Sequence, residues 1–213
     1  MHEQEDLLYR YLEHTCDAEN ALLKRINRET YLRETMPHML SGHFQGRVLS
    51  MLSKIINPKH ILELGTYTGY ATLCLAEGMQ ENGTVDTIDI NEELEEIQEK
   101  YFNLSDYKGQ IIQHIGDATE IIPTLNKKFD LVFIDADKEN YINYWNLIVP
   151  MMNKGGIILS DNVLWSGKVL EEVKKNDKST PILLEYNKLV NEDPRVETVL
   201  LPIRDGLTVS RVL

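Results

Sequence analysis

The sequence predicts an α/β fold with a seven-stranded, mostly parallel sheet, an antiparallel last strand and helices on both faces. After Pro58, short apolar runs alternate with stretches of helical periodicity. This alternation is typical of a parallel sheet covered on both faces. The end of the chain differs, because two strand-like runs, residues 196–203 and 207–213, are joined only by residues 204–206. Such a short turn leaves no room for a crossover helix and forces antiparallel pairing.

The individual elements follow from hydrophobic periodicity. The five predicted parallel strands are residues 60–65, 84–90, 111–116, 130–134 and 156–160. The predicted helices between them are residues 69–79, 91–103, 119–125 and 140–152. Residues 1–55 are predicted to be helical, because their apolar residues recur at helical spacing. Since no repeat or linker-like stretch interrupts the chain, we expect a single domain over residues 1–213, with N-terminal helices (1–55) and an α/β core (56–213).

The charge and the apolar content of the sequence indicate which kinds of partner the protein can have. The 22 Lys and Arg against 34 Asp and Glu give a net charge of −12, which repels nucleic-acid phosphates and anionic membranes. No apolar run approaches the ~20 residues needed to cross a bilayer. The N-terminal segment also lacks the apolar core of a signal peptide. We therefore expect a cytoplasmic protein without a membrane partner, and the charge argues against a nucleic-acid partner.

Ligands of open α/β sheets bind at the carboxyl ends of the strands. The first predicted strand leads into ELGTYTGY, an E-x-G-x-x-x-G pattern. It differs from the G-x-G-x-x-G of nicotinamide-binding proteins, and a plain strand–turn–helix corner is the alternative interpretation. Asp89 ends the second strand, roughly 20 residues after the glycine turn, where it could bind ribose hydroxyls or cap a helix. Asp117 follows the third strand and could reach an adenine amino group or cap the next helix.

The next two predicted strands are followed by side chains that carry oxygen atoms able to bind a metal. Asp135 follows the fourth strand, within DLVFIDADKENY, and Asp161 and Asn162 follow the fifth. Three oxygen ligands without Cys or His suit a hard cation such as Mg²⁺, Mn²⁺ or Ca²⁺. The alternative is that Asp161 and Asn162 only shape a loop and Asp135 caps a helix. Their occurrence on neighbouring strand ends favours the metal site.

These motifs together resemble those of the divalent-cation-dependent O-methyltransferases of the caffeoyl-coenzyme A and catechol type. The matching blocks are ILELGTYTGYATL, TIDINEE, FDLVFIDADKENYINYW, GGIILSDNVLWSGKV and LPIRDGLTVSRVL. They occur in the family's order and cover roughly residues 35–213. The resemblance implies a Rossmann-like class I methyltransferase fold, which agrees with the terminal hairpin predicted above.

The resemblance also implies a function. The chain would transfer a methyl group from S-adenosylmethionine to a hydroxyl of a small catechol-like acceptor, with a divalent cation, foremost Mg²⁺, held by Asp135, Asp161 and Asn162. Lys138 would lie beside the acceptor hydroxyl and act with Asp135 in catalysis. It would be the base only if its pKa is depressed; otherwise it would assist electrostatically and water would take the proton. The cofactor pocket would contain Met39, Ser41, Glu63, Gly65, Thr66, Ala71, Asp89, Asp117, Ala118 and Asp137. Ala71 stands where many members have a serine.

Other interpretations remain open at the level of sequence. Related bacterial enzymes methylate a hydroxylated uridine in transfer RNA, but the charge of −12 argues against an RNA substrate. A non-catalytic binding module would be expected to have lost a metal ligand, and none is lost. Tyr141, Tyr144 and Trp165 either wall an aromatic acceptor or belong to the core. Residues 163–181 and the N-terminal helices are expected to shape the acceptor pocket, and the resemblance implies a homodimer.

Overall fold

The computed structural model describes the backbone of residues 2–213 and the side chains of residues 7–213. Seven strands lie within these residues: β1 (His60–Leu64), β2 (Thr84–Asp89), β3 (Ile111–Ile115), β4 (Phe129–Ile134), β5 (Met152–Asp161), β6 (Val196–Leu201) and β7 (Leu207–Val212). They form one sheet in the order β3-β2-β1-β4-β5-β7-β6. Strand β7 runs antiparallel to both of its neighbours, whereas β1 to β5 pair in parallel. The predicted fold class is confirmed.

The α-helices of the described residues are α1 (His2–Thr15), α2 (Ala21–Arg33), α3 (Gly42–Ile56), α4 (Tyr70–Ala76), α5 (Glu95–Leu104), α6 (Ala118–Ile121), α7 (Tyr141–Ile148) and α8 (Ser179–Glu192). Helices α2 to α5 cover one face of the sheet and α6 to α8 cover the other. Strand β4 illustrates why its sequence is continuously apolar. Leu131 and Phe133 pack on the first face, and Val132 and Ile134 on the second. Successive side chains of a strand point to opposite faces, so a strand covered on both sides is apolar throughout.

Several elements differ from the prediction, among them one strand and two helices. Strand β5 begins at Met152 rather than residue 156, and a register shift lies opposite its start, between Phe129 and Leu131. The helix predicted over residues 119–125 is α6 followed by a 3-10 turn containing a proline. Helix α8 was not predicted at all, although Leu183 and Val190 are buried on it at helical spacing. None of the described helices has the length and apolar character needed to cross a membrane.

Candidate active site

The candidate site lies along one edge of the sheet. Leu64 of β1 pairs in register with Ile88 of β2 and Ile134 of β4, and Ile134 pairs with Ser160 of β5. The residues that follow these positions are therefore brought to a common edge. Because β1 pairs with β2 on one side and β4 on the other, this edge contains the switch point of the sheet, where ligands bind in α/β folds.

The glycine loop packs against the end of β4. Gly65 has φ +93°, and a Cβ atom built on it would lie 2.0 Å from the backbone oxygen of Asp135. A positive φ is readily adopted by glycine, and the absent side chain permits the close approach. The first glycine of the E-x-G-x-x-x-G pattern is therefore required by the packing of two strand ends.

Asp89 is tied to that loop. Its Oδ2 accepts a hydrogen bond from the backbone N–H of Tyr67 at 2.7 Å, and its Oδ1 accepts one from the N–H of Asn91 at 2.9 Å. Burial raises the pKa of Asp89, against the opposing effect of these bonds. The cap of the following 3-10 turn is Asn91, which accepts from Glu93 N–H. The alternative interpretation, in which Asp89 caps the following helix, is therefore wrong.

Glu63 is a completely buried carboxyl. Its Oε2 accepts hydrogen bonds from the hydroxyls of Thr72 and Thr87, while its Oε1 has no hydrogen-bond partner among the described residues. Burial, reinforced by the charges of Asp135 and Asp89, raises the pKa of Glu63 to about 8. At neutral pH the cofactor-free protein therefore holds Glu63 largely protonated. Thr66, also buried, lies 2.6 Å from the Thr87 hydroxyl and extends this network.

Asp117 is exposed and caps α6. Its Oδ1 accepts hydrogen bonds from the N–H and the hydroxyl of Thr119, each at 2.7 Å, and these bonds lower its pKa. The adjacent Ala118 is buried. The structure thus has the helix-cap arrangement that the sequence left open, and the adenine contact stays a prediction.

Asp137 is exposed and oriented by the start of α7. Its Oδ1 accepts from the Tyr144 hydroxyl and its Oδ2 from Asn140 Nδ2 at 2.8 Å. Of the remaining predicted cofactor residues, Ser41 and Ala71 are buried and Met39 is exposed. Their roles toward a cofactor stay predictions.

Asp161 and Asp135 form a pair of neighbouring carboxylates. Asp161 is 1% exposed; its Oδ2 accepts a hydrogen bond from Gln45 Nε2 at 2.7 Å, and its Oδ1 has no partner among the described residues. Burial and the negative charge of Asp135 raise the pKa of Asp161 to about 7. Asn162 follows directly with φ 58°, in the left-handed region that asparagine tolerates.

This set of donors fits a hard divalent cation. A buried carboxylate oxygen without a partner is costly, and so is a second negative charge beside it. A cation would remove both costs. The described residues contain no group of three or more His, Cys, Asp or Glu side chains arranged for a metal. The predicted set consists of two carboxylates and one amide, all oxygen donors of the kind that Mg²⁺ prefers.

Lys138 is held beside these carboxylates. It is 8% exposed, and its Nζ lies 2.6 Å from the Tyr141 hydroxyl and 3.3 Å from Asp135 Oδ1. The Tyr141 hydroxyl in turn donates to the backbone oxygen of Asp161 at 2.8 Å. Lys138 Nζ is thus fixed between a metal-ligand candidate and a buried phenol.

Sequence reasoning missed the partners of these groups. Tyr141 and Tyr144 belong to the buried core, so of the aromatic residues proposed to wall an acceptor only Trp165 remains partly exposed. Gln45 was not identified, although one signal existed. It lies four residues before Leu49 on the buried stripe of α3, and a buried amide requires hydrogen-bond partners.

Comparison with known proteins decides the family. A model of the O-methyltransferase family matches residues 12–213.

This chain belongs to the O-methyltransferase family.

The relatives of this methyltransferase include caffeoyl-CoA O-methyltransferase 5 of Nicotiana tabacum. It is 34% identical over 221 residues, 98% of this chain and 92% of that protein. The caffeoyl-CoA O-methyltransferase of Medicago sativa is 33% identical over 98% of this chain and 89% of its own length. The predicted resemblance and the predicted enzyme class are both confirmed.

Solved structures agree with this assignment. The SAH-bound methyltransferase of Podospora anserina is 26% identical, with a TM-score of 0.90 over 99% of this chain and 96% of its own. The SAH complex of the Bacillus cereus O-methyltransferase, at 24% identity, has the same fold with a TM-score of 0.88 over 96% of each chain. The methyltransferase fold therefore extends over nearly the whole chain.

Proposed function

We propose that this methyltransferase transfers a methyl group from S-adenosylmethionine to a hydroxyl of a small vicinal diol of the catechol type, with the help of a divalent cation. The observation that carries the proposal is the carboxylate pair Asp135 and Asp161, in which Oδ1 of Asp161 is buried without a partner among the described residues. The SAH bound to the Podospora relative supports the cofactor. The caffeoyl-CoA O-methyltransferases among the relatives support a phenolic acceptor.

The cofactor would lie over the ends of β1 and β2. Asp89 keeps lone pairs available for ribose hydroxyls, because each of its oxygens accepts one backbone N–H bond and can accept a second hydrogen bond. The buried Oε1 of Glu63 has its full hydrogen-bonding capacity unused among the described residues. Asp137 provides a negative charge that would favour the cationic methionine part.

Asp135, Asp161 and Asn162 would hold the cation, Mg²⁺ ahead of Mn²⁺ or Ca²⁺. When bound, S-adenosylmethionine would supply the methyl group and the cation would stabilise the deprotonated form of the acceptor hydroxyl. That help is needed because a phenol such as tyrosine titrates near ~10. The main task of the protein is to hold donor and acceptor in line.

Lys138 is the group that takes the acceptor proton in this proposal. The C–S bond breaks as the new O–C bond forms, and the proton leaves the acceptor oxygen for Lys138 Nζ. The contacts of Nζ with Asp135 and Tyr141 fix its position. This role requires a neutral Nζ, which would direct its two N–H groups to Asp135 and Tyr141 and its lone pair to the acceptor hydroxyl.

A homodimer is also proposed. Helices α1 and α3 expose large apolar side chains at Leu7, Leu8, Tyr11, Met51 and Ile55, and a second copy would remove them from water. Light scattering after size exclusion is expected to give twice the 24.6 kDa chain mass. A monomer mass at all protein concentrations would contradict the dimer.

An acceptor panel tests the function. Methyl transfer from isotope-labelled S-adenosylmethionine is measured with catechols, caffeoyl-type esters and matched mono-hydroxylated controls, with Mg²⁺ or with chelator. We expect product only with vicinal diols and only with Mg²⁺. Absence of product on every diol, in protein that binds S-adenosylmethionine, would exclude this acceptor class, and RNA would be assayed next.

A further inference from the structure

A chain of hydrogen bonds reaches the candidate metal ligand Asp161 from two distant parts of the sequence. Gln45, fully buried in α3, donates from Nε2 to Asp161 Oδ2 at 2.7 Å. Its Oε1 accepts from Arg204 Nη1 at 2.5 Å. Arg204 lies in the turn between β6 and β7, where its backbone has φ 48°.

Arg204 determines which way the Gln45 amide faces. A glutamine amide can present either its oxygen or its NH₂ group to a neighbour, but a guanidinium only donates hydrogen bonds. Arg204 therefore requires the Gln45 oxygen, and the NH₂ group is left to face Asp161. The same Nη1 also donates to the backbone oxygen of Ser41 at 2.6 Å, which holds the guanidinium against the start of α3.

In this arrangement one carboxylate oxygen of Asp161 is hydrogen-bonded and the other is available to bind a cation. Oδ2 is occupied by the amide, whereas Oδ1 has no partner among the described residues. A neutral amide can orient a carboxylate without cancelling its charge. A lysine or arginine in the place of Gln45 would instead compete with a bound cation for Asp161.

We propose that Gln45 and Arg204 are positioning residues for the metal site: Gln45 holds Asp161 so that Oδ1 is presented to the cation, and Arg204 fixes the orientation of Gln45. The inference rests on the proposed cation dependence and adds to it two residues outside the ligand set. Hydrogen bonds from the surroundings of a metal ligand commonly change metal affinity by about 10-fold to 100-fold.

The test is Mn²⁺ binding to the cofactor-free protein, measured by titration calorimetry and electron paramagnetic resonance. Gln45→Met keeps the length of the side chain and removes both hydrogen bonds. We expect it to weaken Mn²⁺ binding by about 10-fold to 100-fold. Binding of SAH in the presence of chelator is expected to stay within about twofold of wild type. The side chain of Gln45 bonds to Asp161 and Arg204, and neither residue belongs to the proposed cofactor pocket. Ser53→Ala is the matched control, since Ser53 is buried on the same helix but bonds to Leu75 O.

The outcomes separate the inference from the function on which it rests. Mn²⁺ binding to Asp161→Asn is measured for comparison. If wild-type protein binds no Mn²⁺, both the proposed metal site and this inference are wrong. Wild-type affinity in Gln45→Met, with binding lost in Asp161→Asn, would overturn the inference alone. If Gln45→Met does not fold, Arg204→Met carries the test with an expected loss of about threefold to tenfold. Unchanged Mn²⁺ affinity in folded Arg204→Met would then overturn it.

Discussion

At the scale of single residues, Lys138 owes its position to the Tyr141 hydroxyl. That hydroxyl accepts from Nζ and donates to the backbone at the end of β5. Tyr141→Phe keeps the ring in the core but removes these two bonds, together with a third contact of the hydroxyl, with the backbone oxygen of Ile134 at 3.2 Å. We expect kcat to fall about tenfold through misplacement of Nζ, with the KM for S-adenosylmethionine unchanged, and stability to fall by about 1–2 kcal/mol.

Steady-state kinetics and urea unfolding test this prediction, with Tyr186→Phe as the control. Tyr186 is a buried tyrosine of the same core, and its hydroxyl bonds to Ser160 rather than to Lys138. Equal kinetic losses in the two variants would mean that Tyr141 acts only through the core.

Glu63 makes the stability of the cofactor-free protein depend on pH. Its folded pKa of about 8 lies above the ordinary 4.5, so the folded state binds the proton more tightly than the unfolded state does. Its contribution to stability is complete below about pH 4.5 and is lost as the pH rises through about 8. We expect the free energy of unfolding to fall between pH 5 and pH 8, with a share on the order of a few kcal/mol from this group.

Urea titrations of wild type and Glu63→Gln over that pH range measure the share. The amide cannot ionise, so the variant is expected to lose less stability than wild type as the pH rises. Parallel curves for the two proteins would show that Glu63 ionises normally.

The positions of the candidate site residues were predictable where an apolar run marks the end of a strand. Asp89, Asp135 and Asp161 each follow an apolar run, and the structure brings all three to one edge of the sheet. Their partners were not predictable in the same way. Gln45 and Asp161 are 116 positions apart, and only the packing of α3 on the sheet brings them into contact.

At the scale of elements, the glycine loop depends on Gly65. Gly65→Ala would place Cβ 2.0 Å from the Asp135 oxygen at φ +93°, so the ends of β1 and β4 must separate. We expect a loss of stability of more than about 2 kcal/mol and a loss of SAH binding. Thermal unfolding and calorimetry measure the two effects.

Gly109→Ala is the matched control for this variant. Gly109 also has a positive φ, +82°, but no atom lies within 4 Å of a built Cβ. Gly109→Ala is expected to introduce backbone strain without a steric clash, and to lower the free energy of unfolding by about 1 kcal/mol. Equal losses at both positions would contradict the packing argument.

The elements themselves were predictable where burial dictates the pattern. The ends of β1 to β4 agree with the sequence to within a residue or two, because apolar runs stop where the sheet ends. The start of β5 was missed since Asn153 and Lys154 are polar, yet they extend the strand beside a register shift. Helix α8 was not predicted, although its Pro181 lies in the first turn, where a helix tolerates proline.

At the scale of the whole molecule, the topology explains how distant segments build one site. The parallel strands deliver Glu63, Asp89, Asp135 and Asp161 to the same edge. The antiparallel hairpin of β6 and β7 brings Arg204 back to α3. In the sequence, this hairpin distinguished the fold from other doubly wound sheets. In the structure, its turn contacts the candidate site through the bond from Arg204 to Gln45.

The central claim is that Asp135, Asp161 and Asn162 hold a cation on which methyl transfer depends. Methyl transfer to catechol as a function of free Mg²⁺, in chelator-treated wild type and Asp161→Asn, tests it most directly. We predict saturable activation of wild type from a negligible rate, and a shift of the activating Mg²⁺ concentration by at least about tenfold in the variant. Full wild-type activity in the presence of chelator, or identical Mg²⁺ dependence in the two proteins, would contradict the claim.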